Sequence, residues 1–341
     1  MKQRNRYKFL LILLLSIGFA LFIMYVSITN GTFDMTALDA IKTLLGLDQG
    51  SDHTLVIFEF RLPRILIGAL VGFALGIAGA VLQGITRNQL ADPGILGIHA
   101  AAGLSIVMYM FVVQAAVKSA GWLSIFNMTF FGWIGGMAAT AFLLLFSREQ
   151  GKLEPRKLIL VGIALNSGFS ALTLYVSLKM DPQDFEMATV WLSGSIYSAS
   201  WSQIIATLPW ILCFTPILLW QSPVLNVLQL DEVTTTGIGV SIERERRIML
   251  LSSVALVSAS VAVSGSIGFV GLIAPHISRR LVGIHHPYSL PISGMIGMLM
   301  VLLGDFIGKT IFAPAELPAG IVIAIIGVPY FVYLLVKAKG A

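Results

Sequence analysis

Nucleotide chemistry is most nearly suggested by Gly304 to Thr310, GDFIGKT, whose closing Gly-Lys-Thr is that of a phosphate-binding loop. Such a loop follows a strand and holds four residues between its glycines. Here Gly304 and Gly308 enclose three, Leu303 stands where the first glycine belongs, and the segment closes an apolar run. No ATP site is therefore visible, and any ATP dependence must come from a partner. Gly68, Gly72 and Gly76, four apart, evoke a dinucleotide loop, but no strand precedes them. At that spacing on an apolar helix, small residues let two backbones approach closely. Asp305 and Lys309 share a helical face and could pair; a structural ion pair and a functional site are equally open. An unpaired charge at mid-bilayer costs ~3 kcal/mol or more, which places both near the outer end of a span. His53, His99, His276, His285 and His286 lack metal-ligand spacing, HExxH is absent, and adjacent His285 and His286 read as a cytoplasmic loop. Cys213 is the only cysteine, which excludes a disulfide framework, a thiolate cage and an iron-sulfur cluster. The expectation is no catalytic residue, no metal site and no cofactor in this chain.

The elements that must position these residues are set by composition. Apolar residues make up 57% of the 341 and charged ones only 11%, against about a quarter in soluble domains. Repeated apolar runs meet the ~20 residues a helix needs to cross ~30 Å of hydrocarbon. Ten spans fit best, near 9–29, 62–86, 96–117, 122–147, 158–178, 201–220, 248–265, 267–281, 291–312 and 318–336. The first follows Lys2, Arg4, Arg6 and Lys8, so a cleaved signal is its alternative; its length and the lack of a small-x-small site favour a span. With the N-terminus inside, sixteen Lys and Arg fall inside and six outside, Lys42, Arg61, Arg64, Lys118, Lys179 and Lys309. That placement accounts for the net charge of +5 without a nucleic-acid partner, and it puts both termini in the cytoplasm.

Two stretches are broken. Asp92-Pro93-Gly94 ends one span in the first half, and Gly265, Gly268, Gly271 and Pro275 punctuate the second, as two internal repeats of a transporter would leave. Residues 222–243 form a long cytoplasmic connection in which Asp231 and Glu232 could open a short helix and Gly237 and Gly239 end it. Arg61 and Arg64 have three readings: interfacial snorkelling, pairing with Glu59, or docking of an acidic partner. Asn166, Ser167 and Ser170 could line a polar pathway or bond neighbouring helices.

Five blocks in order resemble the FecCD family of importer permeases: RLPR at Arg61–Arg64, GAVLQGITRNQLADPGILGI at Gly79–Ile98, WLSGS at Trp191–Ser195, GSIGFVGLIAPHISRRLVG at Gly265–Gly283 and ELPAGIVIAIIGVPYFVYLL at Glu316–Leu335. The resemblance covers nearly the whole chain. It implies an all-α, polytopic fold of about ten helices with two repeats, the type II ABC importer permease, as a single domain over 1–341 in the bacterial cytoplasmic membrane. Implied partners are cytoplasmic ATP-binding subunits, an extracytoplasmic substrate-binding protein, and a second permease, identical or homologous. Implied site residues are Arg61, Arg64 and Lys309 for docking; Asp231, Glu232, Thr235, Gly237 and Gly239 for ATPase coupling; and Asn88, Leu90, Asp92 and Pro93 at the gate, to which the polar residues Asn166 and Ser170 of span five add the expected pathway lining. The expected cargo is iron(III)-siderophore, with haem or cobalamin as alternatives. An ion-coupled secondary transporter is a further alternative, although no mid-span acidic residue supports it. The family has proline where this chain has Gln89, which frees φ and restores a donor at the gate turn.

Overall fold

Apolar runs bounded by Pro, Gly and polar caps become helices wherever the sequence places them. The computed structural model describes residues 2–30, 35–47, 51–114, 122–149 and 152–338. In chain order the helices are α1 (Lys2–Thr29), α2 (Ala37–Leu44), α3 (Ser51–Leu55), which continues through a π-helical turn (Val56–Arg61) into α4 (Leu62–Thr86), then α5 (Ile98–Tyr109), α6 (Trp122–Phe146), α7 (Pro155–Ser177) and α8 (Pro182–Leu192). The second half holds α9 (Trp201–Trp220), α10 (Ser222–Val227), α11 (Glu232–Gly237), α12 (Ile242–Ser264), α13 (Val270–Val282), α14 (His286–Ile311) and α15 (Ala319–Ala338). Between α6 and α7 a short antiparallel hairpin pairs Arg148 with Leu153.

Among the described residues, seven helices are long and apolar enough to cross a membrane: α1, α4 with its lead-in, α6, α7, α9, α12 and α14. The shorter α5 and α13, together with α15, fill the remaining predicted spans. At 13 residues α13 covers only about 20 Å, and its entry is the irregular stretch from Gly265 to Phe269. Phe269 is left-handed at φ 65 and caps α13. The predicted span at 248 begins instead at Ile242, because a charged first turn of Glu243 to Arg247 is already helical. The sequence reading missed α2, α3 and α8, all short. Lys118 lies outside the described residues.

The core is built around α4, buried along almost its whole length and packed on α14, α12, α13 and α9. The glycine stripe lets it do this. A Cβ added to Gly72 would lie 2.4 Å from the Gly297 carbonyl oxygen, one on Gly297 2.2 Å from that of Gly72, and one on Gly76 2.2 Å from that of Ser293. Gly79 approaches Gly271 as closely, a Cβ there reaching 2.1 Å from its oxygen, which seats the broken stretch of the second half on α4. By contrast α1 and α7 lie at the periphery, with only 11% of each span buried.

Candidate functional site

Two polar clusters close the ends of this apolar bundle. At the end carrying the RLPR segment, the π-helical turn and Pro63 at the start of α4 aim Arg64 across to α14. Its Nε donates to both carboxylate oxygens of Asp305, at 2.9 and 3.0 Å, and its Nη1 donates to Glu316 Oε2 at 2.7 Å. The guanidinium lies 5.5 Å from the centre of the Tyr197 ring. Asp305 is 5% exposed, so a partner for its charge is a structural necessity. That partner is Arg64, a correction to the i, i+4 pairing with Lys309. Lys309 donates instead to the carbonyl and hydroxyl oxygens of Ser27, at 2.8 and 2.7 Å, and Arg61 donates to the carbonyl of Ile28. Both cations thus hold last-turn carbonyls of α1, where positive charge complements the helix dipole. Arg61, Arg64, Lys309, Glu59 and Glu316 line one pocket of about 480 Å³. The predicted docking trio is therefore one constellation, but one already engaged inside the molecule.

At the opposite end, α4 terminates at Arg87, a non-glycine residue in the left-handed conformation at φ 50. Its Nε donates to Leu228 O at 2.8 Å and its Nη2 to Leu230 O. Gln229 Nε2 donates to Gly84 O at 3.0 Å, and Asn226 Oδ1 accepts from the backbone N–H of His286 at 3.0 Å and lies 2.7 Å from its ring Nδ1. His286 is consequently a buried first residue of α14, which corrects its reading as loop. Together these bonds fix α10 to the ends of α4 and α14. Thr235, fully buried, ties α11 back by donating to Val227 O at 3.1 Å. Asp231 caps α11: its carboxylate accepts from the N–H and hydroxyl of Thr234 at 2.9 and 2.8 Å, which holds its pKa below the usual carboxylate value. Gly237 ends the helix and Gly239 turns the chain away at φ +86, as expected from sequence. Glu232 opens α11; its side chain lies outside the described residues. Leu230, Val233 and Ile238 are left exposed on this segment.

The gate residues sit beside this cradle. Asn88 Oδ1 accepts from Leu90 N–H at 2.9 Å, closing the turn by its side chain, and Gln89 is exposed. Asp92, 6% exposed, accepts from Gly94 N–H at 2.8 Å, and burial pushes its carboxyl up to about 6. Pro93 abuts Gly271, where a Cβ would lie 2.8 Å from Pro93 Cδ. Gln83 donates to the carbonyls of Gly271 and Leu272, at 3.2 and 3.3 Å, and accepts from Arg279 at 2.6 Å. Asn166 meets the same turn, its backbone nitrogen 2.9 Å from a Cβ on Gly97, whereas Ser170 stands further along α7 on an exposed face. The sequence reading missed Gln83, Arg87, Asn226, Gln229 and Arg279. Their partners are mostly distant backbone carbonyls, for which no spacing rule exists. No group of three His, Cys, Asp or Glu side chains able to hold a metal occurs among the described residues.

A family model described as the FecCD transport family matches residues 18–337. The iron-uptake system permease protein FeuC of Bacillus subtilis is 51% identical over 95% of this chain and 97% of its own length. The iron(3+)-hydroxamate import system permease protein FhuG of the same organism is 42% identical over 93% of this chain and 94% of its own. A solved structure described as an inward-facing conformation of a metal-chelate type ABC transporter superposes with a TM-score of 0.81 at 32% identity, covering 96% of this chain and 99% of that one.

Proposed function

The chain belongs to the FecCD transport family, and from that membership we propose that it is the membrane-embedded permease subunit of an ATP-driven importer of iron(III)-siderophore. It is a multi-pass bacterial membrane protein, and its relatives are permeases of iron uptake. The observation that carries an ATP-driven mechanism is the cradle in which Arg87, Gln229 and Asn226 bind α10 to the inner ends of α4 and α14. A push on α10 and α11 is delivered through these bonds to the gate turn at Asn88–Gly94. The exposed Leu230, Val233 and Ile238 form an apolar contact for a cytoplasmic ATP-binding subunit, and Asp231, Glu232, Thr235, Gly237 and Gly239 build the helix presenting it.

The other partners follow from the remaining surfaces. Both termini lie in the cytoplasm, so the Arg61–Arg64–Lys309 pocket faces outward and receives carboxylates of a substrate-binding protein. Incoming carboxylates compete there with Glu316, whose side chain is 26% exposed. A second permease, identical or homologous, covers the exposed face of α7, and Asn166 and Ser170 line the pathway between the two. ATP is hydrolysed by the partner, and this chain carries no cofactor and performs no covalent chemistry.

The test is reconstitution in proteoliposomes with the ATP-binding subunits and the binding protein. Iron(III)-siderophore uptake is expected to require ATP and to persist when the proton gradient is collapsed. Uphill transport by the isolated chain would overturn the reading. A chelate panel separates siderophore from haem, a cargo kept in view by the hemin permease HmuU of Yersinia pestis at 33% identity over 95% of this chain.

A further inference from the structure

Helix α2 divides its surface four ways. Ala40 and Thr43 are buried on the protein side, Ala40 packing with Met35 and Ile57 near the outer ends of α1 and α4. At 100° per residue, Leu38 and Leu45 point directly away from that side and Ile41 lies about 50° from that direction toward Leu44, and the three are 61%, 67% and 49% exposed. Asp39 and Lys42 occupy one flank and Leu44, also exposed, the other. A soluble surface helix shows the reverse pattern, with polar residues opposite its buried stripe.

The level of α2 along the bundle is marked independently. Ile57 belongs to the π-helical turn, and the next residue, Phe58, accepts through its carbonyl from the Trp201 indole N–H at 2.7 Å. Trp201 opens a membrane-spanning helix and is partly exposed, the position typical of a tryptophan at the membrane–water boundary. Helix α2 also touches α1, whose Phe22 and Tyr25 are exposed.

We propose that α2 is an interfacial helix whose partner is the lipid surface of the outer leaflet. Leu38, Ile41 and Leu45 point sideways into the boundary between headgroups and acyl chains, Leu44 points toward the hydrocarbon, and Asp39 and Lys42 face water. Because one acid and one base share the wet flank, anchoring is insensitive to the charge of the lipid. Through Ile57 the anchor steadies the turn that carries Arg61.

The experiment uses the assembled transporter in lipid nanodiscs, in a Cys213→Ser background that removes the native thiol. An environment-sensitive fluorophore is attached in turn at Ile41→Cys, Leu38→Cys and, as the wet control, Lys42→Cys. Emission from positions 41 and 38 should shift to the blue and be lost when nitroxide-bearing phospholipid is included, with little loss to aqueous iodide; position 42 should show the opposite. Replacing zwitterionic with anionic phospholipid should leave these values unchanged. Equal iodide quenching at all three sites overturns the proposal, as does shielding of positions 41 and 38 that appears only when the binding protein is added, since the occupant is then a protein. The result depends only on placement in the membrane, so its failure leaves the importer reading intact, which ATP-dependent uptake by the same labelled samples tests separately.

Discussion

At the end of the bundle proposed to face outward Arg64 meets two carboxylates, whereas at the end proposed to face inward Arg87 meets two backbone carbonyls. Charge balanced by charge is exchangeable, because a third carboxylate can replace one already present at modest net cost. A guanidinium hydrogen-bonded to carbonyls of a neighbouring segment is a mechanical tie, because moving it breaks both bonds at once and strands the acceptor on the buried Leu228. The outer cluster thus suits a partner that arrives and leaves, and the inner one suits transmission of force.

The sharpest break in this comparison is Asp305→Ala, which leaves a mostly buried Arg64 with Glu316 as its remaining partner. Removing one member of a buried pair costs about 3–5 kcal/mol, so the thermal midpoint of the purified complex should fall steeply; an unchanged midpoint would dissolve the outer constellation. Next is Arg87→Ala. Hydrogen bonds from a charged group are worth about 1.5–3 kcal/mol each, so uptake per ATP hydrolysed should drop about tenfold or more while hydrolysis continues. Equal losses of both activities would show that Arg87 does not transmit. Glu316→Gln is gentler: being partly solvated, Glu316 should contribute less than about 1 kcal/mol to stability, while affinity for the binding protein rises as a competing carboxylate disappears. A fall in affinity would move docking elsewhere.

Smaller effects separate the elements of the inner end. The Asp231 carboxyl titrates below its ordinary 3.8 in the folded protein. It therefore stabilises α11 above that value and loses the contribution as pH falls through the lower, folded one. Amide exchange at Thr234 and Thr235 should accelerate only in that acidic window, and Asp231→Ala should abolish the dependence. Gln89→Pro should change uptake by no more than about twofold, the scale of surface substitutions. The turn is closed by the Asn88 side chain on Leu90 and Gln89 is exposed, so its departure from the family pattern costs the turn little.

How much was readable in advance follows the range of the interactions. The long spans were legible because a bilayer demands about twenty apolar residues in a row, and α4 and α9 lie where the sequence placed them. The cap at Asp231 and the turn at Gly239 were legible because capping is local. The ion pair of Asp305 was misassigned because its partner lies 241 residues away, and only folding reveals that α4 faces α14. Arg87 counted merely as one more inward cation, since nothing in its neighbours distinguishes a solvated arginine from one that clasps Leu228 and Leu230. Helix α2 escaped because a short stretch with Asp39 and Lys42 resembles a polar loop until its buried side is known.

The glycine contacts of α4 carry one last consequence. Where Gly72 rests on Gly297 and Gly76 on Ser293, no side chain intervenes that could repack to let the two helices slide. They must tilt together as a rigid plank. Whatever opens and shuts during a transport cycle must therefore turn on the segments that leave the plank, the Asn88–Gly94 turn at the end of α4 among them.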